Sequence, residues 1–112
     1  MSHDEVLLVL TNLPDQESAQ RMAQALVASR AAACVNVLAA CTSVYRWQGK
    51  VENAHEVPLL IKSTRSAYAR LQEEIRAQHP YELPEIIAIP LSAGLSAYLQ
   101  WVVNETQSDH KE

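Results

Sequence analysis

Glycine occurs only twice in the 112 residues, at Gly49 and Gly94, far apart in the chain. No G-x-G-x-x-G fingerprint, Walker A loop or G-x-S-x-G elbow can be assembled from that spacing. Backbone that must approach a phosphate closely usually needs glycine, so a nucleotide held by backbone amides is disfavoured. Basic residues are also few: nine Lys and Arg face thirteen Asp and Glu, for a net charge of −4 and a pI near 5.5. Nucleic-acid binding depends on neutralising phosphates with clustered Lys and Arg, so no nucleic-acid partner is expected. The apolar runs are strand-sized, well short of the ~20 residues that cross a bilayer, so no membrane partner is expected either. Two cysteines suit a reducing compartment. The acidic, polar start Met-Ser-His-Asp-Glu is unlike a secretory signal, and the expectation is a cytoplasmic protein.

What is present is the balance of a globular chain, 48% hydrophobic and 20% charged, enough for one domain over residues 1–112 without structural disulfides. The continuous run EVLLVLT over 5–11 reads as a strand covered on both faces. Pro14-Asp15 breaks the chain, and Asp15 is placed to cap a helix carrying Ala19, Met22, Ala23, Leu26 and Val27 at helical spacing. Residues 33–47, uncharged until Arg46, and 51–63 form the arms of a long hairpin turned at Gln48-Gly49-Lys50. Pro58 in the returning arm cannot donate to a ladder and signals an edge or a bulge.

A second helix starts near Thr64 or Ser66, carries Tyr68, Leu71 and Ile75, and stops at Pro80. A short strand follows over 85–90. A third helix begins near Ser92 or Gly94, with Leu95, Tyr98, Leu99 and Val102 on one face. The ordered core is expected over 5–103, with a polar, frayed tail over 104–112. The order strand, helix, strand, strand, helix, strand predicts an α+β fold, a ferredoxin-like βαββαβ sandwich with a long central hairpin and an extra C-terminal helix. Such a hairpin is an exposed edge unless another copy covers it, which predicts assembly through strand pairing.

Candidate chemistry is sparse. Cys34 and Cys41, seven apart, point to opposite faces of a regular strand and read as small buried hydrophobes. His79, in the run His79-Pro80-Tyr81-Glu82-Leu83-Pro84-Glu85, could coordinate a divalent ion, copper first because it heads the affinity order for N and O ligands. His55 lies between Glu52 and Glu56 but on the opposite side of a strand. His3 and His110 fall in the tails. Tyr45, Trp47 and Lys62 could form a binding patch or an oligomer contact. No nucleophile–base couple or paired-carboxylate pattern is evident, so no enzymatic activity is expected.

Several stretches together resemble the divalent-cation tolerance family, CutA. They are Val9-Leu10-Thr11-Asn12-Leu13-Pro14-Asp15, Ala32-Ala33-Cys34-Val35-Asn36-Val37 and Ser43-Val44-Tyr45-Arg46-Trp47-Gln48-Gly49-Lys50. The likeness continues with Glu56 through Ile61-Lys62-Ser63, the His79-to-Glu85 run and Tyr98-Leu99-Gln100-Trp101. The resemblance implies a homotrimer of ferredoxin-like subunits, similar in architecture to the PII signalling proteins. It also implies a cytoplasmic role in tolerance of copper and other divalent cations, with copper as a possible bound ion and none needed for folding. Where copper-binding members place a cysteine this chain has Thr11, and where they place two histidines it has Gln78 and His79; Cys34 matches the family motif.

His79 and Cys34 are therefore the metal-ligand candidates. The alternative is a PII-like signalling module that binds a small ligand in inter-subunit clefts lined by Trp47, Lys62, Tyr81 and Glu85. A third possibility, an acylphosphatase-like enzyme, needs a glycine-bearing anion loop with an arginine, which 11–15 does not offer.

Overall fold

The computed structural model describes residues 4–107. Its elements in chain order are β1 (Val6–Leu13), α1 (Gln16–Ala28), β2 (Cys34–Val37), β3 (Cys41–Trp47), β4 (Lys50–Thr64), α2 (Tyr68–Gln78), β5 (Ile87–Pro90) and α3 (Ser96–Glu105). One antiparallel sheet runs β2-β4-β1-β5, and β3 continues the β2 edge by pairing with the far half of β4. This is the ferredoxin-like arrangement expected from the element order.

Alternation along β1 and β4 decides where the core lies. Leu7, Val9, Thr11 and Leu13 pair with Ser63, Ile61, Leu59 and Val57, and all eight are buried on one face. Against them pack Ala19, Met22 and Leu26 of α1 and Leu71 and Ile75 of α2. Val27, expected in that stripe, is exposed, because it lies at the edge of the α1 apolar arc. Asp15 caps α1 as expected: its carboxylate accepts from the Ser18 N–H at 2.8 Å, and the Ser18 backbone and side-chain hydrogen bonds hold its pKa below the ordinary value.

The predicted second strand is two strands. Three residues, Leu38 to Ala40, lie opposite Val57 and Pro58, so the register with β4 steps by one between Val37↔Leu59 and Cys41↔Glu56. Pro58 is the reason. Its carbonyl accepts from the Leu38 N–H at 3.0 Å, so the side on which it lacks a donor is the one where the partner strand breaks. On its other side β4 pairs with β1 without interruption through Asn12↔Pro58. The proline therefore lies on a central strand and marks a bulge in its β2–β3 partner. The step also corrects the expectation for the cysteines: their partners Lys62 and Glu56 have the same parity on β4, so Cys34 and Cys41 share a face. They are six rows apart, roughly 20 Å at ~3.3 Å per residue, and both are free thiols. Cys41 is exposed rather than buried.

Gln48 and Gly49 both take positive φ (51° and 83°), as the tight turn between right-twisted strands requires. β4 runs on to Thr64, and α2 starts at Tyr68, later than its sequence suggests. The Asp4 carboxylate bonds the Ser66 N–H and hydroxyl and so occupies the linking turn. α3 starts at Ser96 and buries Val102 and Val103 with Val6 and Ala33, leaving Leu95 exposed and Tyr98 partly so. It also runs past the expected end of order at residue 103: Thr106 is buried and its hydroxyl donates to the Val102 carbonyl at 2.9 Å. Residues 108–112, with His110, and His3 lie outside the described residues.

One buried polar atom has no hydrogen-bond partner among the described residues, the Thr11 hydroxyl. An unpaired buried hydroxyl costs about 1–3 kcal/mol. Thr11→Val, which keeps the shape, is expected to raise stability by about 1 kcal/mol. Chemical denaturation checks this, and a loss of stability would mean that the hydroxyl is satisfied.

Candidate ligand cleft

The 79–85 run is anchored at both ends by one residue, Asn12 at the end of β1. The Asn12 carbonyl accepts from His79 Nε2 at 2.6 Å, and its side-chain Nδ2 donates to Glu85 Oε1 at 3.0 Å. His79 Nδ1 accepts from the Tyr81 N–H at 3.2 Å, which places the proton on Nε2 and uses both ring nitrogens within the fold. The imidazole is 9% exposed and its ring centroid lies 4.7 Å from that of Tyr81. His79 also terminates α2, its N–H bonding the Ile75 carbonyl, and Pro80 prevents the helix from continuing.

The segment held in this way faces the long hairpin across a cleft of about 950 Å³. The hairpin contributes Ser43, Tyr45 and Trp47 from β3 and Ala54 and Glu56 from β4; the segment contributes Tyr81, Glu82, Pro84 and Glu85. The period of two in β3 puts Ser43, Tyr45 and Trp47 on one face, so both aromatics line the cleft, and Val44 borders it as well. Glu56 is nearly buried, at 9% exposure, and its carboxylate neighbours Tyr81. Burial first, then the Glu56 carboxylate as acceptor and as charge, push the Tyr81 pKa up to about 12. Tyr81 therefore stays a neutral donor at any physiological pH.

Three of the four residues expected to line inter-subunit clefts, Trp47, Tyr81 and Glu85, line this cleft within one subunit. Lys62 does not. It sits four rows along β4 from the Asn12–Pro58 row, about 13 Å at the ~3.3 Å rise, where its ammonium reaches Cys34 Sγ at 3.9 Å and bonds Asn36 Oδ1. Tyr98 also neighbours Cys34 there, and burial first, then Cys34, raises its pKa. His79 and Cys34 thus lie in different neighbourhoods, and no group of three or more His, Cys, Asp or Glu able to hold a metal ion occurs among the described residues. His55 is exposed, and Glu52 and Glu56 have the opposite parity, so these three do not converge.

Thr11 is sealed in the core beside Leu59. The clamp by Asn12 and the part of Glu56 were not readable beforehand. The one signal for Glu56 was a carboxylate at the margin of the buried Val57–Ile61 run.

No helix among the described residues is long and apolar enough to cross a membrane. A family model described as CutA1 divalent ion tolerance protein matches residues 7–105. The "Divalent-cation tolerance protein CutA" of Thermus thermophilus is 46% identical over 99 residues, which cover 88% of this chain and 96% of that protein. "Protein CutA, chloroplastic" of Arabidopsis thaliana is 37% identical over 102 residues, 91% of this chain but 56% of that longer protein. The solved structure of the Thermus thermophilus divalent cation tolerance protein superposes with a TM-score of 0.89 at 44% identity, covering 91% of this chain and 99% of that one.

Proposed function

Since this chain belongs to the CutA1 divalent ion tolerance protein family, we propose that it serves divalent-cation tolerance as a non-enzymatic, cytoplasmic homotrimer whose working site is the Tyr81 cleft. It acts by binding a small ligand, in the manner of a signalling module, rather than by storing copper at His79 and Cys34. One observation supports the choice: both nitrogens of His79 are engaged in hydrogen bonds that hold the segment forming one wall of the 950 Å³ cleft, which favours a structural part for this imidazole beside a ligand site.

The trimer is supported by the sheet face away from α1 and α2. There Ile87 and Ile89, 49% and 48% exposed, stand beside Leu10 and Leu8, with Trp101 of α3 41% exposed nearby in sequence to the packed Val102 and Val103. An apolar sheet face of this kind is an interaction surface in soluble proteins, and a second and third copy of the chain are its natural cover.

Native mass spectrometry of the reduced protein during a copper titration tests the proposal. A trimer that stays metal-free at micromolar copper, together with thermal shifts from small organic ligands, is the expected result. Uptake of copper in multiples of three, lost on His79→Ala, would return the function to copper coordination. A monomer would remove the assembly.

A further inference from the structure

We propose that the cleft between the long hairpin and the 81–85 segment receives a small organic ammonium compound. This rests on the ligand-binding reading and specifies its chemistry. The lining carries three carboxylates, Glu56, Glu82 and Glu85, and no Lys, Arg or His among the described residues. None of the three is ion-paired among the described residues: the salt bridges there join Arg21 to Glu17, Arg30 to Glu105 and Arg65 to Glu5. A phosphate or carboxylate ligand would meet three like charges and no basic side chain in the lining, whereas a cation would be drawn in.

The remaining walls are aromatic. Tyr45 and Trp47 project from one side and Tyr81 from the other. Ring faces attract cations through their quadrupole, and they favour weakly hydrated organic ammonium groups over small, strongly hydrated metal ions. Glu56 sharpens the preference. It is nearly buried, shares the cleft with the neutral Tyr81, and has no basic side chain among the lining residues to supply a countercharge. An ammonium group entering beside it would supply that charge while its carbon substituents cover the rings.

A bare divalent ion fits less well. Glu85 is held by Asn12, no group of three or more His, Cys, Asp or Glu able to hold a metal occurs among the described residues, and the volume is that of a small organic molecule, not of an ion.

Isothermal titration of the full chain at low salt tests this, with choline and spermidine as probes. Controls are 3,3-dimethyl-1-butanol, the uncharged isostere of choline, and inorganic phosphate. Saturable binding of at least one ammonium probe is expected, at least tenfold tighter than the uncharged isostere, with no binding of phosphate. Glu56→Gln, which can still accept from Tyr81, should weaken the ammonium probe tenfold or more while leaving the thermal transition in place. Loss of choline binding on Trp47→Leu would identify a methylated ammonium as the ligand type, and loss of spermidine binding on Glu82→Gln a polyamine. Equal binding of the isostere, or an unchanged affinity in Glu56→Gln, would overturn the proposal. If neither probe binds but another compound shifts the thermal transition and is displaced from the cleft by Trp47→Leu, the ammonium assignment fails and the cleft remains a ligand site. If nothing binds, both fail.

Discussion

Removal of the His79 side chain is expected to destabilise the protein by about 3 kcal/mol even when every metal has been stripped from it. The imidazole bridges the Asn12 carbonyl and the Tyr81 N–H, and His79→Ala leaves both without their partner while opening a void beneath the Tyr81 ring. An unsatisfied buried backbone group costs roughly 1–3 kcal/mol, and two are created at once. Chemical denaturation of chelator-treated protein at fixed subunit concentration is the measurement. His79→Asn, whose amide oxygen can still accept from the Tyr81 N–H, should recover part of the loss. A neutral His79→Ala in metal-free protein, paired with loss of copper uptake, would show the imidazole to be a ligand and not a brace. Ligand affinity at the cleft should fall with stability, because the same imidazole holds Tyr81 and, through Asn12, lies beside the Glu85 anchor.

The second large effect is expected at the open sheet face. The double variant Ile87→Asp, Ile89→Asp should run as a folded monomer in analytical ultracentrifugation where the parent runs as a trimer. Each isoleucine is already half buried, so covering the rest contributes about 1 kcal/mol, and a carboxylate buried in its place adds a desolvation penalty of several kcal/mol. Threefold symmetry repeats the cost at each subunit. The subunit itself should survive, because both side chains face away from the core that β1 and β4 share with α1 and α2. Retained far-ultraviolet dichroism would establish that. A variant that remains trimeric would place the subunit contact on another surface, such as the hairpin edge formed by β3.

Apart from the split of the second strand into β2 and β3, the element order, the ferredoxin-like arrangement, the cap at Asp15 and the family were legible in the chain alone, because these depend on short-range properties. Period-two and period-3.6 patterning, a proline's missing donor and a turn's need for positive φ are readable wherever they occur. The bulge was half legible: Pro58 announced an irregularity, but only the pairing shows that the break falls in the opposite strand, and that single step brings Cys34 and Cys41 to one face.

The site belonged to the tertiary structure. Asn12, Glu56 and Tyr81 are separated by most of the chain and meet because β4 pairs with β1 and the 79–85 run folds back over its end. Lys62 looked equivalent to Trp47 as a cleft residue, yet register places it six rows along β4 from Glu56, the nearest β4 residue lining the cleft. His79 was conspicuous in the sequence as a metal-binding type; what it does depends on which partners its two nitrogens find, and a linear motif does not carry that information.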